Sequence, residues 1–495
     1  MYRNDSNQIT IYEFVHPFGG GLNANNRWVK MSELVPWSEF EPKYAEKFSK
    51  NTGAGAKSFR MALGSLLVQQ ILKASDEETV EHIVENPYLQ FFIGLKEYQD
   101  KAPFDASMLT LFRRRIGRRM LADINTEIYR RQVLKRDEQK KKDDDGDKPS
   151  NTGASVETNE EKPIANSGTL MMDATCAPAD IRFPTDLSLL SEARELMDSL
   201  IDEAHKPLVG KIKRPRTYRK QARRHALSIL KNRNPSKEKL RNAIRKQLQY
   251  LERCVRNYEK LLETSESAQP CEKQQERLET IKKLMKQQRE MYDEKKHSVP
   301  DRIVSIHQPH VRPIVRGKAA AKVEFGVKLE VSLVSGFTFI DECSWDAKNE
   351  SGTLIESVEN YHKLHGWYPE AVLADKIYRT RENRAYCKNL GIRLSGPALG
   401  RPKADDLKEQ LRMAREDSAE RNAIEGKFGE AKRRYGSSRI MARLKETSES
   451  VIGVQFLAMN LKLLLRVHFV RFFLRLISIS IGTVSQNRSP EPVSL

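Results

Sequence analysis

The feature that most constrains this fold is an apolar run, TLMMDAT (169–175), cut off from any comparable run by more than a hundred residues. A short apolar stretch of this kind reads as a buried strand. A strand needs partners, and runs of the same character resume only at RIVSIHQPHVRPI (302–314) and AKVEFGVKLEVSLVSGFTFIDECSW (321–345). The one nearby exception is ADIRFP (179–184), expected as a second strand. The sheet must therefore close over a long insertion. That is tolerable, because the cost of closing a loop grows only slowly with its length. The insertion, 187–299, has helical periodicity and few turn formers, and reads as a helical hairpin or small bundle.

Beyond the insertion, Ser335-Gly336 falls where a hairpin turn belongs. Helix, strand, helix and short strand follow in GTLIESVENYHKLHG, AVLADK, TRENRAYCKNLG and IRLSG. A basic loop, PALGRPKADD, leads into a last long helix around AERNAIEGKFGEAKRRYG (419–436). The order predicts an α/β layered domain over 168–186 and 300–445, antiparallel strands first and parallel crossovers later.

The flanking regions differ in character. Residues 36–135 read as a compact all-α unit, with acidic residues opening a helix at SDEETVEHIVEN and Asp105 placed as the N-cap of a helix rich in arginine on one side, Arg113 and Arg114 among them. A short helix, a turn and a basic helix suit docking to DNA, and equally suit a bundle with a solvated basic face. Residues 136–167 are charged, then rich in Ser, Thr, Asn and Gly, and read as a disordered linker. Residues 446–495 form a C-terminal helix and tail. Lys462, Arg466, Arg471 and Arg475 interrupt its apolar run, which favours a packing helix over a membrane span, with an interfacial amphipathic helix as the minor alternative.

Charge narrows the partners. The net charge is +19, which favours polyanions. Between Lys206 and Lys246 stand 16 Lys or Arg against one acid, Glu238. Arg214, Arg216, Arg219 and Arg223, with Tyr218 among them, suit contact with a nucleic-acid backbone. The five cysteines are scattered without a CxxC pair, which argues against a disulfide framework or a structural zinc site and for a reducing cytoplasm. The N-terminus lacks the apolar core of a signal peptide.

Two aspartates, Asp173 and Asp375, each close a buried apolar run. Either alone is more often a cap or turn residue. Together, on strands that can be neighbours, they suggest a divalent-metal site, since buried carboxylates require a cation. On the last helix Arg421, Glu425, Phe428 and Lys432 form one stripe, because steps of four and seven residues leave offsets of only about 40° and 20°. Glu425 can supply a third acid; alternatively it is half of a surface Arg–Glu pair. His307 and His310 are expected in a loop or at a strand edge.

Three blocks, MMDATCAPADIRFPTD, VLADKIYRTRENR and RNAIEGKFGEAKRRYG, resemble the DDE insertion-sequence transposases of the IS-four/IS-five type. The last matches the family's Tyr-x2-Arg-x3-Glu-x6-Lys signature at Arg421, Glu425 and Lys432, with Ser418 in the tyrosine position. The resemblance implies an RNase H-like mixed sheet preceded by an all-α DNA-binding domain. It implies that Asp173, Asp375 and Glu425 hold two Mg2+ ions, with Mn2+ as substitute. Arg421, Lys432, Lys376 and Tyr378 would then contact DNA beside them. The implied activity is strand cleavage and transfer on double-stranded DNA, at terminal inverted repeats and target, by a homodimer in a synaptic complex at the nucleoid, with no membrane partner. A catalytically inactive or domesticated DNA-binding descendant is the alternative. A structural or RNA-binding coiled coil built around 187–297 would leave the aspartates unexplained.

Overall fold

The computed structural model describes residues 10–16, 20–49, 55–134, 165–264, 269–315, 323–346, 348–397 and 404–486. All but the last residues of the expected linker 136–167 lie outside these, as do the tail beyond 486, positions 398–403 of the basic loop and the first nine residues.

A six-stranded mixed sheet carries the molecule. Its central strand β1, Thr169–Pro178, pairs antiparallel with β3, Val323–Val334, and parallel with β5, Ala371–Leu373. The short β6, Arg393–Leu394, extends the parallel side. On the other side, β3 shares its outer edge between β2, Arg312–Val315, and β4, Phe337–Ser344. The hairpin β3–β4 turns at Ser335 and Gly336, whose φ values of 51° and 80° give the left-handed pair that matches strand twist. Gly326 is required where β3 crosses β1. A Cβ there would collide with the Ala177 carbonyl oxygen.

Three expectations fail here, the first being the run at 302–314, which is strand only from Arg312 on. ADIRFP is not a strand: the chain makes one bridge, Ala179 to Ile440, and leaves the sheet. Pro184 cannot donate to a ladder, and Thr185 already opens a helix through a capping box with Ser188. Asp105 is not an N-cap. Its carboxylate accepts from the Ser107 N–H and hydroxyl two residues on, and the helix starts only at Met108.

Before the sheet come α1 (Arg27–Leu34), α2 (Trp37–Ala45), α3 (Phe59–Leu72), α4 (Asp76–Glu85), α5 (Pro87–Phe92), α6 (Met108–Arg115) and α7 (Arg118–Tyr129). The acid-rich start of α4 is closed by a Ser75–Glu78 capping box, as the sequence implies. The insertion supplies α8 (Asp186–His205), α9 (Arg219–Leu230), α10 (Lys237–Thr264) and α11 (Glu272–Asp293). After β4 come α12 (Leu354–His365), α13 (Arg381–Asn389), α14 (Ala404–Arg434) and α15 (Lys445–Gln486).

Packing forms two principal cores. One runs without a break from Trp28 in α1, through the sheet, to Leu464 in α15. Within α15 the segment Lys445–Val467 is long and apolar enough to cross a membrane, yet most of it is buried inside the protein. It packs on α3, α6, α7 and β4. Asn460, fully buried, explains the fit: its amide oxygen accepts from the Thr338 N–H and hydroxyl, and its nitrogen donates to the Asn125 side chain and the Thr338 carbonyl. Such a network is stabilising only when every member is satisfied, so it fixes how α7, β4 and α15 meet. The other large core belongs to the insertion, where Met197 and Ile201 of α8 meet Leu251 and Val255 of α10 and Ile281 and Leu284 of α11.

Candidate active site

Strand register places the two aspartates. In the parallel pair Met171 lies opposite Leu373, so two residues further on Asp173 is level with Asp375. Neighbouring strands stand about 4.8 Å apart. The expectation that both close their strands holds only for Asp375. β5 ends at Leu373, and the Asp375 carboxylate accepts from the Lys376 N–H at 2.7 Å to cap a 3-10 turn, Lys376–Tyr378. Asp173 sits in mid-strand, because Ala174–Pro178 keep pairing with β3.

The third acid arrives on α14. This helix packs against β1 and buries Ile424, Ala431 and, in part, Phe428. Near its middle Asp417 is gripped by Arg393 of β6 at 2.8 Å. These anchors lay the next turns across the strand ends. The Arg421 guanidinium donates to Asp375 Oδ1 at 3.1 Å, and Glu425 stands exposed one turn on.

The electrostatics tie the acids together. Burial pushes the Asp173 carboxyl up. The Ala174 N–H and Arg421 oppose this, while Asp375 and Glu425 reinforce it by like-charge repulsion. For Asp375 burial acts upward, but the Lys376 N–H and Arg421 outweigh it and hold the carboxyl below the usual range. Three carboxylates from three elements thus share one field, with a guanidinium among them. Among the described residues no three His, Cys, Asp or Glu side chains stand close enough together to hold a metal ion. The metal centre expected from the resemblance is therefore not closed. Arg421, rather than a third carboxylate, occupies the open side of Asp375, which relieves the repulsion that three unneutralised acids would suffer.

Other residues expected to contact DNA are placed differently. Tyr378 is fully buried, and its hydroxyl donates to the Glu330 carboxylate on β3. It cannot reach DNA; it pins the Asp375 turn to the sheet from below. Arg113 is held within the N-terminal helices. Its guanidinium bridges Asp76 and the Gln69 side chain, tying α6 to α3 and α4. Arg214 and Arg219 both pair with Asp202 of α8, at 2.6 and 2.8 Å. Arg114, Arg216, Arg223 and Lys376 are exposed, and Lys432 is half-buried. His307 pairs with Glu192 at 3.3 Å. His310, edge-on to Trp345, is pushed down to about 4 by burial. Neither histidine is on an element bearing the three acids.

Sequence reasoning missed Glu330. It lies opposite Ala174 on β3, is almost wholly buried, and is pushed up to about 7 by burial, against the Tyr378 hydrogen bond. A lone acid within the alternation VKLEVSLV was the available signal.

Comparison with known proteins bears on these positions. A family model described as Transposase DDE domain matches residues 372–462, which include Asp375 and Glu425. A second, Transposase domain (DUF772), matches residues 18–115. The chain is similar to the uncharacterized protein ORF8 in the nfe locus of Rhizobium meliloti. The two are 29% identical over 176 residues, 36% of this chain and 73% of that protein. No solved structure matches the chain.

Proposed function

From a chain that resembles the DDE transposases in both matched regions, we propose a transposase that cleaves and joins DNA strands at the ends of an insertion sequence. The observation that carries this is the approach of Asp173 on β1 to Asp375, just past the end of the adjacent β5, under a helix bearing Arg421 and Glu425. The strand order, with β1 to β4 joined by antiparallel ladders and β5 and β6 added in parallel on the other side of β1, supports the RNase H-like reading.

The donor set fits a hard divalent cation, since all three candidates are carboxylates. The repulsion that Asp375 and Glu425 impose on Asp173 is what a cation would relieve. Asp173, Asp375 and Glu425 would hold Mg2+, two ions in the family pattern, with Mn2+ as substitute. When bound, such ions activate the attacking oxygen and stabilise the leaving one in an in-line phosphoryl transfer. For that site to form, Arg421 must release Asp375. Its guanidinium is then free to grip a DNA phosphate, with Lys376 next to Asp375 and Lys432 about two turns beyond Glu425 on α14 as further contacts. Tyr378 and Glu330 keep the Asp375 turn in place meanwhile. Terminal inverted repeats are the substrate of this reading, two protein copies its synaptic unit, and the cytoplasmic nucleoid its place of action.

A second reading, a DNA-binding descendant without catalysis, is favoured by one observation only: Arg421 already neutralises Asp375. Strand cleavage of a duplex carrying the element's own ends separates the two. Wild type with Mg2+ cleaves, and Asp173→Ala, Asp375→Ala and Glu425→Ala do not. Variants as active as wild type defeat the metal-site assignment, and an inactive wild type that still binds those ends favours the second reading.

A further inference from the structure

The helical insertion carries a second basic site that the catalytic reading does not use. The structure sorts its arginines by partner. Arg214 and Arg219 are committed to Asp202, and Arg194 is buried against Asp198. The helix α10 segregates its charges. Glu252 and Glu259 turn toward α11, where Arg289 and Lys282 meet them. Arg253, Arg256 and Lys260 lie exposed on another side, at the three- and four-residue spacing of one helix face. There they border an open cleft of about 400 Å3, completed by Pro215, Arg216, Tyr218 and Asn257. Every charged residue lining it is cationic.

Tyr218 is the pivot of the cleft. The guanidiniums of Arg216 and Arg253 each lie 4.8 Å from its ring centroid. Asn257 donates to the Arg216 carbonyl at 3.4 Å, tying the loop to the helix. Tyr218 also adopts the left-handed conformation, with φ 55° and ψ 29°, as it enters α9. A large side chain takes that conformation at a cost which glycine avoids. Strain of this kind is a reason to look for function at a site. Here the strained residue holds two arginines over one cleft.

We propose that this cleft is a DNA-backbone site, in which Arg216, Arg253, Arg256 and Lys260 grip duplex phosphates away from the catalytic carboxylates. Guanidiniums match phosphate oxygens with paired donors, and stacking on a ring pre-orders them for that task. The choice of DNA over other polyanions rests on the transposase reading; the anion site itself does not.

The test is fluorescence anisotropy of the full chain with a labelled duplex, in EDTA so that no strand is cut, over a range of salt. Arg253→Glu/Arg256→Glu is expected to weaken binding at least tenfold and to lower the slope of log K against log salt by about 2, at about 0.9 for each phosphate no longer neutralised. A matched control, Lys283→Glu/Lys286→Glu on α11, changes net charge equally and is expected to bind nearly as wild type. Tyr218→Gly is expected to keep or raise the melting temperature while weakening affinity about 2- to 5-fold, the range of an exposed cation–π interaction. A purely structural tyrosine would not give that split.

The site is overturned if the arginine double variant binds as wild type, or if the control weakens binding as much. Its assignment to DNA is overturned if poly-glutamate displaces the duplex at equal charge concentration. Because cleavage is absent from the assay, failure of the catalytic reading and failure of this site give different results: inactive acid variants still bind through the cleft.

Discussion

The two sides of this molecule handle cationic side chains in opposite ways. At the sheet, Arg421 is spent on an acid, Asp375. In the insertion, Arg216 and Arg253 rest on an aromatic ring with no acid lining the cleft. The cores differ likewise. Asp173 stands on a sheet whose core is continuous with the N-terminal helices and α15, whereas the insertion packs around a core of its own that is joined by Ile303 and Ile306 just after it. A surface on the insertion can therefore change without disturbing the carboxylates. The sheet site, by contrast, depends on packing contributed from both ends of the chain.

That contrast can be broken most forcefully in the shared core. Leu457→Ala, at a fully buried position of α15, is expected to cost about 2–5 kcal/mol. Hydrogen exchange should then speed up in the N-terminal helices and the sheet together, while α8–α11 keep their protection. Leu251→Ala, in the insertion core, should do the reverse. A collapse of protection everywhere in both variants would show that the two cores unfold as one.

Acidity gives a smaller handle on the shared core. Burial pushes the Glu41 carboxyl from 4.5 up to about 7, with the Phe59 N–H opposing. A raised carboxyl binds its proton more tightly when folded. Its contribution is therefore complete below about pH 4.5 and is lost as pH rises through 7. Glu330 and Asp341 are pushed up to about 7 in the same way, chiefly by burial. Thermal melts should fall from pH 5 to pH 8, and Glu41→Gln should recover up to roughly 3 kcal/mol at the upper end. A variant whose melting follows the wild-type pH profile would contradict this.

Tyr378→Phe tests the turn beneath Asp375. It strands a buried Glu330 carboxyl, at a cost of about 1–3 kcal/mol. Cleavage should weaken while DNA binding in EDTA stays at the wild-type level. Weakened binding would instead restore Tyr378 as a residue that touches DNA. The smallest effect is expected at the hairpin. Ser335→Asn places a residue that tolerates the left-handed region at φ 51°, and should raise stability by no more than about 1 kcal/mol with activity unchanged.

Local chemistry is legible in the sequence, and distant partnership is not. The acidic helix start after Ser75, the Ser335-Gly336 turn and the order of elements from β3 onward follow from neighbouring residues. The continuation of β1 past Asp173 does not, because it depends on partners such as Glu330, opposite Ala174 on the distant β3. Arg113, Arg214 and Arg219 read as free cations because Asp76 and Asp202 are not beside them in the chain. Tyr378 misleads for the same reason, since its partner Glu330 lies 48 residues away. Asp173, Asp375 and Glu425 stand out by their place after apolar runs and by the signature around Arg421. The pairing of Arg421 with Asp375 needs the register of β5 and the seating of α14.

Asp173, Asp375 and Glu425 are expected to act as one unit. The direct measurement is the Mg2+-dependent cleavage rate of Asp173→Asn, Asp375→Asn and Glu425→Gln, alone and combined, on one duplex. Residues acting as a unit are grossly non-additive, so each single variant should be as inactive as the triple. Partial losses that multiply toward the triple variant, or a single variant that cleaves like wild type, would contradict it.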